Sequence, residues 1–243
     1  MKILCLLQAR MSSSRFPGKI MKPILGKPMI QHILDSLSYS TMIDDVIVVT
    51  STNPKDDVLV QYLDKKNSKY FRGNENDVLK RYIDAVSQFG GDYIVRITAD
   101  NPLIDPNIVD IVIREALKNK VDYASNNLKK TFPLGFYVEV VSRKILEKLD
   151  KLTQDQSDRE HVTLYIHKNK NSFKVLNITA SQEFSYPDWR LTVDTKEDFE
   201  LIKHVFENLY TGHKPIRYEE VIIFLKNNPD LLKINQNIKQ KSP

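Results

Sequence analysis

Strand-length apolar runs alternate along this chain with segments of helical period, a pattern that restricts it to an α/β arrangement around a mostly parallel sheet. Residues 3–7 are apolar throughout, as a strand covered on both faces must be. Met29, Ile30, Ile33, Leu34 and Leu37 then fall on one helical face. Residues 46–49 predict a second strand, followed by a helix that turns Val58, Leu59, Tyr62 and Leu63 inward. A short strand at 70–71 precedes a helix with Val78, Leu79, Tyr82, Ile83, Val86 and Phe89 on one side. Residues 93–97 predict a fourth strand, and Pro106 is placed to begin a helix reaching about residue 117. The second half is less regular. Strands are expected at 137–141, 173–178 and 190–193, with helices over 143–151, 158–167, around Phe199 to Leu209 and over 218–226.

A length of 243 residues, 41% of them hydrophobic, suffices for one sizeable core, so the expectation is a single domain over 1–232 and a polar, frayed tail over 233–243. The one cysteine, Cys5, lies within the first apolar run, which excludes a disulfide framework and points to a buried, inert thiol. A reducing cytoplasm is the expected location: no apolar stretch has the length of a membrane span, and no secretory signal pattern stands near the N-terminus. The net charge of +5 raises the question of nucleic acid. The lysines are spread along the chain without zinc-finger or aromatic-plus-basic patterning, so neither a nucleic acid nor a membrane is an expected partner.

In an open parallel sheet, ligands bind beyond the carboxyl ends of the strands. Directly after the first strand comes Gln8-Ala9-Arg10-Met11-Ser12-Ser13-Ser14-Arg15-Phe16-Pro17-Gly18-Lys19, with three cations, three hydroxyls and a glycine. Its glycine spacing fits neither a Walker A loop nor a dinucleotide fingerprint. Backbone amides and hydroxyls there can wrap a phosphate whose charge Arg10, Arg15 and Lys19 neutralise.

This loop and the following Leu25-Gly26-Lys27-Pro28-Met29-Ile30 carry a resemblance that further motifs extend in order. They are Val49-Thr50-Ser51, Phe71-Arg72-Gly73 with Asp77-Val78-Leu79, Arg96-Ile97-Thr98-Ala99-Asp100-Asn101-Pro102-Leu103, Arg159-Glu160-His161-Val162-Thr163 and Leu191-Thr192-Val193-Asp194-Thr195. Together they span about residues 1–210 and resemble the cytidylyltransferases that make CMP-Kdo and CMP-sialic acid, in particular the branch called spore-coat polysaccharide biosynthesis protein F.

The resemblance implies a Rossmann-like nucleotidyltransferase core, a homodimer, and an Mg²⁺-dependent reaction in which a sugar hydroxyl attacks the α-phosphorus of CTP and pyrophosphate leaves. The sugar is expected to be acidic and destined for surface polysaccharide or glycan. Arg10 and Lys19 would hold the triphosphate, with Ser13 and Arg15 helping, although Arg15 also reads as a solvent-facing cation. Thr50, Ser51, Asn53 and Arg72 would complete the nucleotide site. Asp100 and Asp194, each following an expected strand, suit Mg²⁺, which takes oxygen ligands and binds through one or two acids plus substrate phosphates. Asp100 reads alternatively as a turn residue, and Asp194 as the N-cap of the next helix. Arg10, Lys19 and Asp100 form the expected catalytic set. On the acceptor side stand Glu139, Arg159 and Arg190, the two arginines for a sugar carboxylate. His161 either contacts the acceptor or packs at a helix start. His32, His167, His204 and His213 show no metal-ligand spacing.

One departure falls in the acceptor half. Where the branch tends to read Pro-Asp-Gly-x-Asp-Val-Glu, this chain reads Pro133-Leu134-Gly135-Phe136-Tyr137-Val138-Glu139. A metal-dependent glycosyltransferase using a nucleotide sugar is the first alternative, but Asp100, in Thr98-Ala99-Asp100-Asn101-Pro102, has no partner for the usual Asp-x-Asp pair. A non-catalytic nucleotide-binding module is the second, opposed by the intact Arg10, Lys19 and Asp100.

Overall fold

The computed structural model describes residues 1–240, so the last three positions of the expected tail lie outside the described residues. In chain order the strands and helices are β1 (Ile3–Gln8), β2 (Pro23–Ile24), β3 (Lys27–Pro28), α1 (Met29–Leu37), β4 (Asp45–Ser51), α2 (Asp57–Lys65), β5 (Tyr70–Gly73), α3 (Val78–Phe89), β6 (Tyr93–Thr98) and α4 (Pro106–Asn119). They continue with β7 (Tyr123–Ser125), β8 (Glu139–Ser142), α5 (Arg143–Leu152), α6 (Gln156–Glu160), α7 (Leu164–Lys168), β9 (Val175–Asn177), α8 (Lys196–Leu209) and α9 (Tyr218–Asn227).

Seven strands form one sheet in the order β5-β4-β1-β6-β8-β7-β9. All neighbours run parallel except β8, which is antiparallel to both β6 and β7. The chain winds outward from β1 through β4 and β5, then restarts on the other side of β1 with β6. This reversal leaves a crevice at the carboxyl ends of β1 and β6, the place where α/β sheets bind ligands.

Both faces of the sheet are covered. Ile3, Cys5 and Leu7 of β1 pack into one core layer with α1, α4, α8 and α9, whereas Leu4 and Leu6 pack into the other with α3 and α5. Cys5 is fully buried and burial pushes its thiol pKa far up, leaving it without thiolate character. Among the described residues no helix is long and apolar enough to cross a membrane.

The first half follows the sequence pattern closely, including Pro106 at the first turn of α4 behind an Asp105 cap, but Val58, expected to face inward on α2, is 53% exposed while Leu59 and Leu63 alone of that helix are buried. The second half departs from it. The expected helix over 158–167 is two short helices, α6 and α7, separated at residues 161–163, where Val162 adopts φ +56°. The three-residue β7 escapes the apolar pattern altogether. The expected strand at 190–193 is instead an extended segment that bonds to two separate loops: Leu191 N–H donates to Leu134 O at 2.7 Å, and Val193 N–H to Asp100 O at 2.8 Å. Gly135 permits this approach, because its φ is +121° and a Cβ there would stand 2.4 Å from Leu191 O.

The start of the tail is docked rather than frayed. Asn235 is buried, and its side-chain amide donates to Arg190 O and to Asp198 Oδ1, both at 2.9 Å.

Candidate functional site

A cleft of about 600 Å³ opens at the carboxyl ends of β1 and β6. One wall is the loop after β1. Met11 O accepts from both Ser13 N–H and Gly18 N–H, at 3.0 and 2.9 Å, and so closes the loop on itself. Phe16 and Ile20 anchor it in the core, Phe16 lying edge-on to Phe199 with ring centroids 5.7 Å apart. Gly18 supplies the left-handed turn, φ +70°, that aims Lys19 back at the sheet.

Arg10, Ser13, Arg15 and Lys19 all line this cleft. Lys19 is buried, and its ammonium donates to Val193 O at 2.6 Å and to Asp194 Oδ1 at 2.9 Å. Asp194 Oδ2 meets Arg15 Nη2 at 2.7 Å and Arg190 Nη2 at 2.9 Å. Burial works against the Asp194 charge, but Lys19, then Arg15 and Arg190, outweigh it and hold the carboxyl below its ordinary pKa. The N-cap of α8 is Thr195, paired with Asp198 in a capping box, so the capping role expected of Asp194 falls one residue later.

Asp100 lies across the ammonium, with Oδ2 3.9 Å from Lys19 Nζ and Oδ1 accepting from Thr98 Oγ1 at 2.5 Å. The legs of 2.9 and 3.9 Å from Lys19 put an oxygen of Asp194 within 6.8 Å of an oxygen of Asp100, despite 93 intervening residues. The backbone bond from Val193 to Asp100 brings them together, although the segment before Asp194 is not a strand of the sheet.

A divalent cation suits this donor set with a condition. Asp100 keeps oxygen lone pairs facing the cleft, whereas both oxygens of Asp194 are occupied by cations. Among the described residues no three His, Cys, Asp or Glu side chains gather as a metal cage. Mg²⁺ would therefore need phosphate and water oxygens besides Asp100, and Asp194 would join once Lys19 and Arg15 turned to phosphate.

The other residues expected at the nucleotide support the loop instead of lining the cleft. Thr50 and Ser51 are fully buried and donate to Asp56, whose Oδ1 also takes Met11 N–H at 2.7 Å. Burial opposes the Asp56 charge, but these donors prevail and hold its pKa down. Asp56, absent from the sequence reading, thus ties the end of β4 to the loop after β1. Its signal was weak, one of two adjacent acids in Pro54-Lys55-Asp56-Asp57. Arg72 donates to Ser51 O and Asn53 O at 3.0 and 3.2 Å, and the Asn53 amide reaches Glu75 at 2.7 Å.

At the acceptor end, Glu139 and His161 line the cleft, while Arg159 and Arg190 are placed elsewhere. Arg159 spends its guanidinium on Asp77, Asp150 and Thr153 O, bracing α6 against the cap of α3. Arg190 is committed to Asp194, Asp198 and Gln240 behind the cleft wall. Arg96 is the feature sequence reasoning missed. The antiparallel register sets it opposite Glu139, and its Nη1 donates to Glu139 Oε1 at 2.7 Å. Burial opposes both charges, yet each partner keeps the other ionised, and Thr163 also donates to Glu139. An arginine interrupting the apolar run of β6 was the available clue. Leu134 and Tyr137, which stand where the branch has acids, line the same cleft.

A doubly covered sheet with a cation-rich loop and two carboxylates at its switch point is the architecture of a nucleotide-handling enzyme. Residues 4–232 match the cytidylyltransferase family, and the chain belongs to it. The spore coat polysaccharide biosynthesis protein SpsF of Bacillus subtilis is 34% identical over 235 residues, 94% of this chain and 95% of that protein. An 8-amino-3,8-dideoxy-manno-octulosonate cytidylyltransferase of Shewanella piezotolerans is 28% identical over 217 residues, covering 87% and 75%. Among solved structures, a cytidylyltransferase from Leptospira borgpetersenii serovar Hardjo-bovis superposes with a TM-score of 0.91 at 33% identity over the whole of both chains.

Proposed function

We propose that this enzyme transfers the cytidylyl group of CTP to a hydroxyl of an acidic sugar, with release of pyrophosphate, on the way to a surface polysaccharide or related glycan. The observation that carries the reading is the convergence of Lys19 and Arg15 on Asp194, one ammonium away from Asp100. Two cations held beside two carboxylates are what a metal-bound triphosphate requires. Lys19, Arg15, Arg10 and Ser13 would take the phosphates, and Mg²⁺ at Asp100 and Asp194 would neutralise the charge on their oxygens. The sugar is supported by the names of the relatives, one of which acts on an octulosonate. With Arg159 and Arg190 committed elsewhere, its carboxylate falls to Lys130, a cation lining the cleft. A homodimer in the cytoplasm completes the proposal.

Cytosine differs from uracil by its amino donor at N4, and a pocket offering an acceptor there rejects UTP by leaving that acceptor unpaired. In a panel of acidic sugars with Mg²⁺, pyrophosphate release from CTP should exceed that from UTP by at least about 100-fold. Comparable release from both nucleotides would overturn the proposed specificity.

A further inference from the structure

We propose that His161 is the general base that takes the proton from the attacking sugar hydroxyl. This deepens the acceptor reading above and rests on it. The reaction needs such a group: as the sugar oxygen bonds to the α-phosphorus its O–H bond must break, while the bond from that phosphorus to the bridging oxygen breaks and pyrophosphate leaves with the electron pair. The proton passes to an imidazole nitrogen and returns to solvent after the product departs.

The carboxylates of the cleft each face a cation. Asp194 is clamped by Lys19, Arg15 and Arg190, and Glu139 by Arg96 and Thr163. Asp100 holds Thr98 and faces Lys19, and Glu160 stands 3.6 Å from Arg10. Burial raises the Tyr137 pKa, which keeps that phenol protonated. His161 is the one imidazole among the described residues lining the cleft, and none of them hydrogen-bonds its ring.

Its placement is imposed by the backbone. A β-branched residue in the left-handed region is unusual, yet Val162 holds φ +56° with its side chain buried in the α3/α5 core layer. Thr163 grips Glu139 on the next position. Residues 161–163 are thus pinned on one side by the core and on the other by the buried ion pair, and His161 is turned into the cleft.

The electrostatics favour a base. Burial lowers the imidazole pKa first; Glu160 and Glu139 pull it back up, while Arg96 and Arg10 press it further down. With a pKa below the ordinary imidazole value, the ring is neutral near pH 7 and able to accept a proton.

The test compares wild type with His161→Gln in pyrophosphate release over pH 5–9, together with calorimetric CTP binding. Wild-type kcat/KM should rise with pH through an acid limb below the ordinary imidazole value. His161→Gln should lose that limb and about 100-fold in kcat, the scale of general base catalysis, with CTP affinity unchanged. A variant that keeps wild-type kcat, or that keeps the acid limb because CTP itself titrates there, overturns the assignment. A wild type that releases pyrophosphate with no acidic sugar overturns the acceptor reading, and the base assignment with it.

Discussion

Asp100→Asn is expected to leave the fold intact and to lower kcat by about 10²- to 10⁴-fold, the scale of losing a principal electrostatic stabiliser. The change is close to isosteric. An asparagine oxygen still accepts from Thr98, so the turn after β6 keeps its local bond. What would be lost is the carboxylate proposed to hold Mg²⁺, so half-saturation should move to higher Mg²⁺ concentration. No gain in thermal stability accompanies the change. Two bare carboxylates at this spacing would repel, but Lys19 already lies between Asp100 and Asp194, so removing either charge also removes an attraction. Steady-state kinetics across a magnesium titration, with a thermal melt of the same sample, check all three points. Wild-type kcat at every Mg²⁺ concentration would remove Asp100 from the mechanism.

The second large effect is expected at Lys19, whose charge should be worth about 10²-fold or more in kcat/KM, because its contact to phosphate strengthens as the leaving group gains charge. Alanine is a poor probe there. The Lys19 stem is buried, and truncation would open a cavity beside Val193 as well as remove the ammonium. Lys19→Met keeps the stem and isolates the charge. It also leaves Asp194 to Arg15 and Arg190 alone, a loss a thermal melt should register as modest destabilisation. Methionine at wild-type kcat/KM for CTP would contradict the role.

How far the sequence carries depends on how each element is stabilised. β1, β4, β6 and helices α1 to α4 were legible because each meets the core through a periodic apolar face, although Arg96 interrupts β6 and Val58 of α2 turns outward. The segment at 190–193 has the same periodicity, and Leu191 and Val193 are indeed buried, but its backbone bonds to Leu134 and Asp100 instead of joining a ladder. Side-chain alternation reports burial, not the identity of the hydrogen-bonding partner. β7, three residues long, is too short to show a period, whereas β9 falls inside the strand expected at 173–178.

The site was legible to the same degree. The loop after β1 announced Arg10, Ser13, Arg15 and Lys19 by composition and position, and all four line the cleft. Thr50 and Ser51 drew attention at a strand end yet face Asp56, a choice of side that a strand terminus does not reveal. Arg159 and Arg190 were marked for their charge, and their partners Asp77 and Asp198 are distant or buried acids that no local pattern assigns to them. The Arg96–Glu139 pair depends on the antiparallel insertion of β8, which a parallel α/β reading does not contain.

The most direct test is phosphorus NMR of the wild-type enzyme turning over CTP with Mg²⁺ and an acidic sugar it accepts. Pyrophosphate and a CMP phosphodiester are expected in equal amounts, with no accumulation of free CMP. Free CMP formed from an added CMP-sugar, or pyrophosphate without a matching phosphodiester, would contradict cytidylyl transfer to the sugar.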